Sequence, residues 1–166
     1  MNTEQYNQCV EQYADRLFRF AFASLHNREQ AEDVVQESFA RVWERLKTVE
    51  FAKAKSYLFT IAHHASIDEI RQRQQYTNIE DCSPNELKSA YNPYPDIHDI
   101  LHKALAALPE MQRNALLLRD YEGYSYQEIG DITGMSEAQV KISIFRARTA
   151  LKSKLKSIDN LIDIEP

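Results

Sequence analysis

The sequence predicts an all-α protein in which two small helical domains are joined by a flexible linker. Only three of the 166 residues are glycine, and long stretches consist of residues that favour helix. Apolar residues recur at the three- and four-residue spacing of helices, whereas convincing alternating runs of the strand type are absent from the sequence. An apolar content of 43% is enough for compact cores in one domain or in two small ones.

The first domain is expected to span residues 1–75 and to contain three helices. The apolar spacing predicts a first helix that ends at a break at residues 26–27. A second helix is expected over residues 28–47, and a loop over residues 48–54 should lead into a third helix over residues 55–75. The predicted apolar side of the second helix comprises Ala31, Val34, Val35, Phe39, Val42, Trp43 and Leu46.

A change of composition marks the predicted linker at residues 76–96. This segment contains three prolines and scattered polar residues without a period, and prolines exclude regular helix. Helical periodicity resumes over residues 97–108, and Pro109 can occupy the first turn of a further helix over residues 110–119. The linker is therefore followed by a C-terminal domain, expected to consist of four helices over residues 97–158.

Two capping signals organise the second half of that domain, within residues 124–156. Ser125 with Glu128, and Ser136 with Gln139, have the spacing of a capping box, in which each side chain satisfies a backbone donor at a helix start. A glycine turn lies between the two signals. Together they predict two short helices arranged as a helix-turn-helix.

The second of these helices combines an apolar stripe with a basic, polar face. The stripe comprises Val140, Ile144, Ala147 and Leu151. The opposite face comprises Gln139, Lys141, Ile142, Phe145 and Arg146. Residues 140–157 hold six basic side chains and no acidic one, followed by a tail at residues 159–166. Charge alone would also fit a solvated surface helix, but the caps and the turn favour insertion into the major groove of DNA.

The net charge of −5 does not exclude a nucleic-acid partner, because the charges are unevenly distributed and distant charges are screened. Residues 1–40 hold seven acidic and three basic side chains, whereas residues 41–75 hold four acidic and seven basic ones. No apolar run approaches a membrane span and the first residues do not form a signal peptide, so a cytoplasmic protein without membrane insertion is expected. Cys9 and Cys82 lack metal-ligand spacing and are expected to remain reduced.

His63, His64, Asp68 and Glu69 cluster in the third helix, which raises the alternative of a metal-dependent enzyme. His64 and Asp68 are four residues apart and could face one metal ion. Nothing else in the sequence converges on them, and the motifs of metalloproteases, phosphate-binding loops and hydrolase nucleophiles are missing. The sequence therefore predicts no enzyme, no metal site and no cofactor.

Three segments resemble the two helical domains of bacterial sigma factors of the extracytoplasmic-function group. They are AEDVVQESFARVWERL, SYLFTIAHHASIDEIRQRQ and ALPEMQRNALLLRDYEGYSYQEIGDITGMSEAQVKISIFRARTALK. The segments occur in the order found in that family and cover nearly the whole chain outside the linker and the tails. The resemblance implies a subunit that binds core RNA polymerase and directs promoter recognition, promoter melting and transcription initiation.

The resemblance also assigns roles to individual residues. Core polymerase is expected to bind Asp33, Gln36, Glu37 and Arg41. The melted −10 element, with one base flipped into a pocket, is expected to contact Lys53, Lys55, Tyr57, His64 and Arg71. The −35 element is expected to contact Gln139, Lys141, Ile142, Phe145 and Arg146. Members of the group are commonly held inactive by an anti-sigma factor, so such a partner is implied as well.

Two positions depart from the pattern of the group. His64 stands where asparagine is common near the −10 pocket, and Tyr57 stands where tryptophan is frequent. Stacking should survive the change to tyrosine, whereas the change to histidine leaves the preferred −10 base open. The alternative function is a helix-turn-helix regulator that binds duplex DNA without polymerase and uses the first domain for sensing or dimerisation.

Overall fold

The computed structural model of the protein describes residues 1–79 and 97–162. The described residues form α-helices and one 3-10 turn and contain no strand, which confirms the predicted all-α class. The helices are α1 (Thr3–Leu25), α2 (Arg28–Glu44), α3 (Ala54–Ile79), α4 (Ile97–Ala106), α5 (Glu110–Asp120), α6 (Tyr126–Thr133) and α7 (Glu137–Ile162), and the 3-10 turn is Phe51–Lys53. None of the helices in these ranges is long and apolar enough to cross a membrane.

The predicted break between the first two helices is present. His26 ends α1 in the left-handed conformation, with φ of 51°. Asn27 then caps α2, because its side-chain oxygen accepts a hydrogen bond from the backbone N–H of Gln30 at 2.9 Å. Residues 26 and 27 therefore reverse the chain and set α1 and α2 side by side.

The prediction was wrong for Trp43, which was assigned to the apolar side of the second helix. Its side chain is 50% exposed, and its ring meets the Tyr6 ring edge-on, with 4.9 Å between the centroids. The reason is that α2 ends at Glu44, so that Trp43 lies on the last turn, beyond the buried Val42.

Two helices are longer than predicted. The helix expected to end at residue 75 continues through residue 79, because the first proline of the predicted linker occurs only at Pro84. The last helix, predicted to be short and to lie in a domain that ends at residue 158, runs over 26 residues from Glu137 to Ile162. Most of the predicted linker, including Cys82, lies outside the described residues, as do the last residues of the predicted tail.

The start of the C-terminal domain depends on a buried arginine that the sequence analysis did not identify. Pro109 occupies the N-cap of α5 rather than its first turn. Arg113, one turn later, points back, and its Nη1 donates to the carbonyl oxygens of Leu105, Ala106 and Leu108 at 3.5, 3.4 and 3.2 Å. These carbonyls belong to the last turn of α4 and to the segment that follows it, so Arg113 satisfies acceptors that the helix end leaves unpaired.

Both predicted capping boxes of the helix-turn-helix are formed. Ser125 accepts from the backbone N–H of Glu128 at 3.1 Å, and the Glu128 carboxylate accepts from the backbone N–H of Ser125 at 2.7 Å. Ser136 and Gln139 make the equivalent pair at the start of α7, at 3.2 and 2.9 Å. Gly134 ends α6 with φ of 80°, a conformation that favours glycine.

A second glycine, which the sequence analysis missed, lets this turn close. A Cβ atom on Gly130 would lie 2.8 Å from the backbone carbonyl oxygen of Met135. Real Cβ atoms almost never approach backbone that closely, and a backbone atom cannot move aside like the end of a side chain. The absence of a side chain at Gly130 therefore allows the turn to pack directly on α6.

The two domains pack against each other and share one hydrophobic core. In this interface α1 contacts α4 and α5, and α3 contacts α6. The ring of Phe59 on α3 meets the edge of the Tyr124 ring, with 5.9 Å between centroids. Nearby, Asn114 Nδ2 donates to His63 Nδ1 at 3.0 Å, and both side chains are buried. The interface thus combines apolar burial with a polar contact that requires His63 to be neutral at Nδ1.

Two interface histidines are held neutral at physiological pH. Burial, with a smaller contribution from the neighbouring His64, lowers the pKa of His63 to about 4. Burial also lowers the pKa of His26 to about 4, with smaller contributions from Arg113, His102 and Arg73. Protonating either ring would place a positive charge in a buried site, and none of the groups that shift these two pKa values is acidic.

The free energy of unfolding should therefore fall as the pH is lowered from 6.5 towards 4. In that window the unfolded chain protonates both histidines, whereas the folded chain does not until about pH 4, so acid favours the unfolded state. Urea unfolding followed by circular dichroism at several pH values measures the effect. His63→Gln should flatten the pH dependence, whereas the exposed His98→Gln should not. An unchanged dependence in His63→Gln would contradict the assignment.

Candidate nucleic-acid interface

The exposed face of α7 has the composition predicted for a DNA-reading helix. Phe145 is 71% exposed and Ile142 is 49% exposed, although both are large and apolar. Val140, Ile144 and Ala147 are buried against the rest of the domain, as the helical wheel predicted. Because its partly apolar face is turned outward, α7 presents a surface that can contact another molecule.

The basic groups of α7 differ in how they are held. Lys141 lies 3.7 Å from the Glu137 carboxylate and 5.5 Å from the centre of the Tyr126 ring. Arg148 is bound by Asp120 of α5, with a shortest contact of 2.5 Å. Arg146 is exposed and makes no ion pair within the described residues. Arg146 is therefore available to a phosphate or a guanine edge, whereas Arg148 ties α7 to its own domain.

A small pocket lies where the chain passes from α2 to α3. Its volume is about 280 Å³. The lining residues are Arg45, Thr48, Val49, Glu50, Lys53 and Tyr57. Of the residues predicted to act at the −10 element, the pocket brings together Lys53 and Tyr57. The sequence analysis did not assign the other four lining residues to a −10 site, because they lie in irregular turns that have no helical periodicity.

Two further residues predicted for the −10 element extend the same side of α3. His64 and Arg71 follow Tyr57 at successive intervals of seven residues, which returns each to nearly the same side of an α-helix. Both are exposed. The His64 ring lies 5.5 Å from that of the buried His63. The face made by Tyr57, His64 and Arg71 therefore runs along α3 away from the pocket.

Lys55 lies elsewhere, so the structure does not bring the five predicted −10 residues together. Its ammonium lies 3.8 Å from the Glu122 carboxylate and 4.5 Å from the centre of the Tyr124 ring, both in the C-terminal domain. Burial lowers the pKa of Lys55, and Arg16 lowers it further. Lys55 is thus part of the domain interface rather than of the pocket.

The residues predicted to bind core polymerase share one exposed face of α2. Asp33, Gln36, Glu37 and Arg41 are all exposed, and Asp33, Glu37 and Arg41 follow one another at intervals of four residues. Arg41 contacts the Glu37 carboxylate at 2.5 Å, an ion pair that their four-residue spacing on the helix allows. The apolar side of the helix, with Val34 and Val42, is buried against the domain. The α2 face is thus a mixed-charge surface on a rigid support.

The members of the histidine cluster of α3 lie in different environments. Across residues 1–79 and 97–162, no group of three or more His, Cys, Asp or Glu side chains could hold a metal ion. His63 is buried and occupied by Asn114, whereas His64 and Asp68 are exposed.

Comparisons with known proteins agree with this arrangement of surfaces. Residues 9–76 match the family "Sigma-70 region 2", and residues 98–151 match "Sigma-70, region 4". SigM of Bacillus subtilis, an ECF RNA polymerase sigma factor, is 29% identical over 89% of this chain and 93% of its own length. SigE of Mycolicibacterium smegmatis, also an ECF sigma factor, is 31% identical over 90% of this chain and 61% of its own, longer sequence.

A solved structure has the same fold. It is the sigma factor RpoE of Bartonella quintana in complex with the anti-sigma factor NepR, and it is 27% identical to this chain. The match covers 93% of this chain and 98% of the other, with a TM-score of 0.76. Both halves of the chain therefore match sigma-factor regions in the order that sigma factors have, and the protein belongs to the extracytoplasmic-function group of sigma factors.

Proposed function

We propose that this sigma factor directs core RNA polymerase to its promoters by dividing the recognition of DNA between its two domains. The observation that carries the proposal is the pairing of two surfaces, one in each domain. The region 2 domain holds a small pocket beside an exposed face of α3, and the region 4 domain holds an exposed basic helix. A promoter with two separate elements offers one target for each surface.

The pocket beside Tyr57 is suited to a base that has left the DNA stack. A volume of about 280 Å³ has room for a single base, and an aromatic ring in its wall offers a stacking surface for any base. Glu50 and Thr48 supply acceptors and a hydroxyl for its edge, and Lys53 supplies positive charge for the backbone. His64 and Arg71 would then follow the strand along α3.

The exposed face of α7 would read the −35 element in the major groove. Arg146 can bind a phosphate or the O6 and N7 atoms of guanine. Ile142 and Phe145 can offer only apolar contact, to thymine methyl groups or sugars. Gln139 and Lys141, at the start of the helix, are placed where recognition helices contact base edges.

The α2 face around Glu37 would dock on core polymerase. It carries both signs of charge on a helix whose opposite side is buried, so it can bind a protein without losing its own fold. Electrostatic complementarity at such a surface provides specificity and faster association. The proposed site of action is the cytoplasm, where polymerase and DNA are found, and no chemical reaction is assigned to the chain.

An anti-sigma factor is part of the proposal. The Bartonella sigma factor that shares this fold was solved with one bound. In this chain, a cavity of about 660 Å³ lies between α1 of the first domain and α4 and α5 of the second. Its walls combine apolar groups such as Phe20 and Leu101 with the cations Arg16 and Arg19, so an acidic amphipathic segment would fit it.

The alternative of a regulator that acts without polymerase is not favoured, because the first domain matches a sigma region rather than a sensor domain. Run-off transcription tests the choice. Purified core polymerase should produce promoter-specific transcripts only when this protein is added. Specific duplex binding by the protein alone, with no effect on transcription, would support the regulator instead.

Tyr57→Ala should reduce open-complex formation while leaving binding to the closed promoter largely intact. The loss of stacking on one base corresponds to about 1–3 kcal/mol. Permanganate footprinting of the melted region measures it, and a template that is already melted should restore activity. Tyr121→Ala removes an exposed tyrosine in the other domain and serves as the control. If the melted template does not rescue Tyr57→Ala, the residue supports the fold and not the opened strand.

Arg146→Ala and Phe145→Ala should weaken binding to the −35 element in distinguishable ways. Arg146→Ala should reduce the slope of the logarithm of the DNA-binding constant against the logarithm of salt concentration by about 1, because it removes one phosphate contact. Phe145→Ala should leave that slope nearly unchanged and relax the preference at one or two base positions. Titrations of holoenzyme on labelled promoter DNA at several salt concentrations measure both, with Lys152→Ala as a charged control further along α7. Equal salt slopes for the two variants would contradict the division of roles.

A further inference from the structure

The turn between α5 and α6 inserts a carboxylate between two helices of the other domain. Glu122 in this turn contacts Arg16 of α1 at 2.5 Å and lies 3.8 Å from the ammonium of Lys55 on α3. The Glu122 side chain is only 8% exposed. A single buried carboxylate of the C-terminal domain therefore joins two cations of the N-terminal domain.

Lys55 is held by this turn through more than the carboxylate. Its Nζ also donates to the backbone carbonyl oxygen of Glu122 at 3.3 Å and lies over the face of the Tyr124 ring at 4.5 Å. Three contacts with one short segment leave the ammonium little freedom to reach another anion. In the structure, the lysine assigned to the promoter strand is occupied by its own C-terminal domain.

The position of Glu122 makes the contact sensitive to a single charge. Arg16 and Lys55 approach the same site, and the positive charge of Arg16 lowers the pKa of Lys55. The Glu122 carboxylate opposes this repulsion. Removing one partner of a buried ion pair leaves the other charges uncompensated, which costs far more than losing an exposed pair. Without the carboxylate, two cations would face each other in a partly buried interface.

We propose that Glu122 acts as a clasp that keeps the free chain closed and withholds Lys55 from promoter DNA. The inference rests on the proposed function, because it concerns regulation of the same −10 surface. DNA phosphates and the Glu122 carboxylate are both anions, so they compete for Lys55. Binding of the strand then requires the turn to leave, and the apparent affinity for single-stranded DNA is reduced by the fraction of molecules that are closed.

Glu122→Gln tests the clasp in the full-length chain without polymerase. The radius of gyration from small-angle X-ray scattering should rise above the value of about 15 Å that a compact chain of this length has. Binding of a labelled single-stranded oligothymidylate should tighten about tenfold if the open fraction rises about tenfold. Asp131→Asn removes the same charge from an exposed position of the same domain and is the matched control.

If Glu122→Gln matches Asp131→Asn in both measurements, there is no clasp. Lys55→Gln removes the contacts of Lys55 with the turn from the other domain and should also raise the radius of gyration, which keeps the test decisive should Glu122→Gln lose its helical circular dichroism. Run-off transcription with the wild-type protein separates the two proposals. If the wild-type protein gives specific transcripts but the variants change neither the radius of gyration nor the binding of single-stranded DNA, the clasp alone is overturned. If the wild-type protein gives no specific transcripts, the proposed function is overturned.

Discussion

The packing of α3 between the two domains is the constraint on which the rest of the structure depends. One part of α3 is buried against α1 and α2, and another is covered by α6. Its remaining side carries Tyr57, His64 and Arg71 beside the pocket. Because α3 is packed on its other sides, its orientation is fixed, and so are the positions of the three residues along its exposed side. The same packing places Lys55 in the domain interface.

With this arrangement, packing of the C-terminal domain and binding of DNA compete for one helix. The interface with the C-terminal domain is stabilised by apolar burial around Phe59 and Tyr124, and its polar contacts at His63 and Glu122 require particular charge states. Burial alone would hold the domains together under many conditions. Charged and titratable groups instead make the closed form sensitive to competing anions and to acid.

The elements that sequence predicted well carry strong local signals. Both capping boxes and the apolar stripe through Val140 and Ile144 follow from short-range spacing, so the helix-turn-helix could be placed nearly residue by residue. Roles that depend on distant contacts could not be found this way. Glu122 and Arg113 act through groups that are remote in sequence or in another helix, and the need for glycine at position 130 arises from the backbone of Met135. Trp43 was misplaced because periodicity cannot show where a helix ends.

Hydrogen exchange of the α5–α6 turn tests most directly whether the C-terminal domain leaves α3 when the complex with polymerase and promoter DNA forms. The amides of residues 121–125 and of the first turns of α3 should exchange slowly in the free chain at neutral pH. In the complex with core polymerase and promoter DNA, the turn should exchange faster, because its amides keep their bonds to α5 carbonyls but lose the cover of the first domain. The start of α3 should stay protected by DNA. Equal protection of the turn in both states would contradict the account, because the domains would then remain packed during initiation.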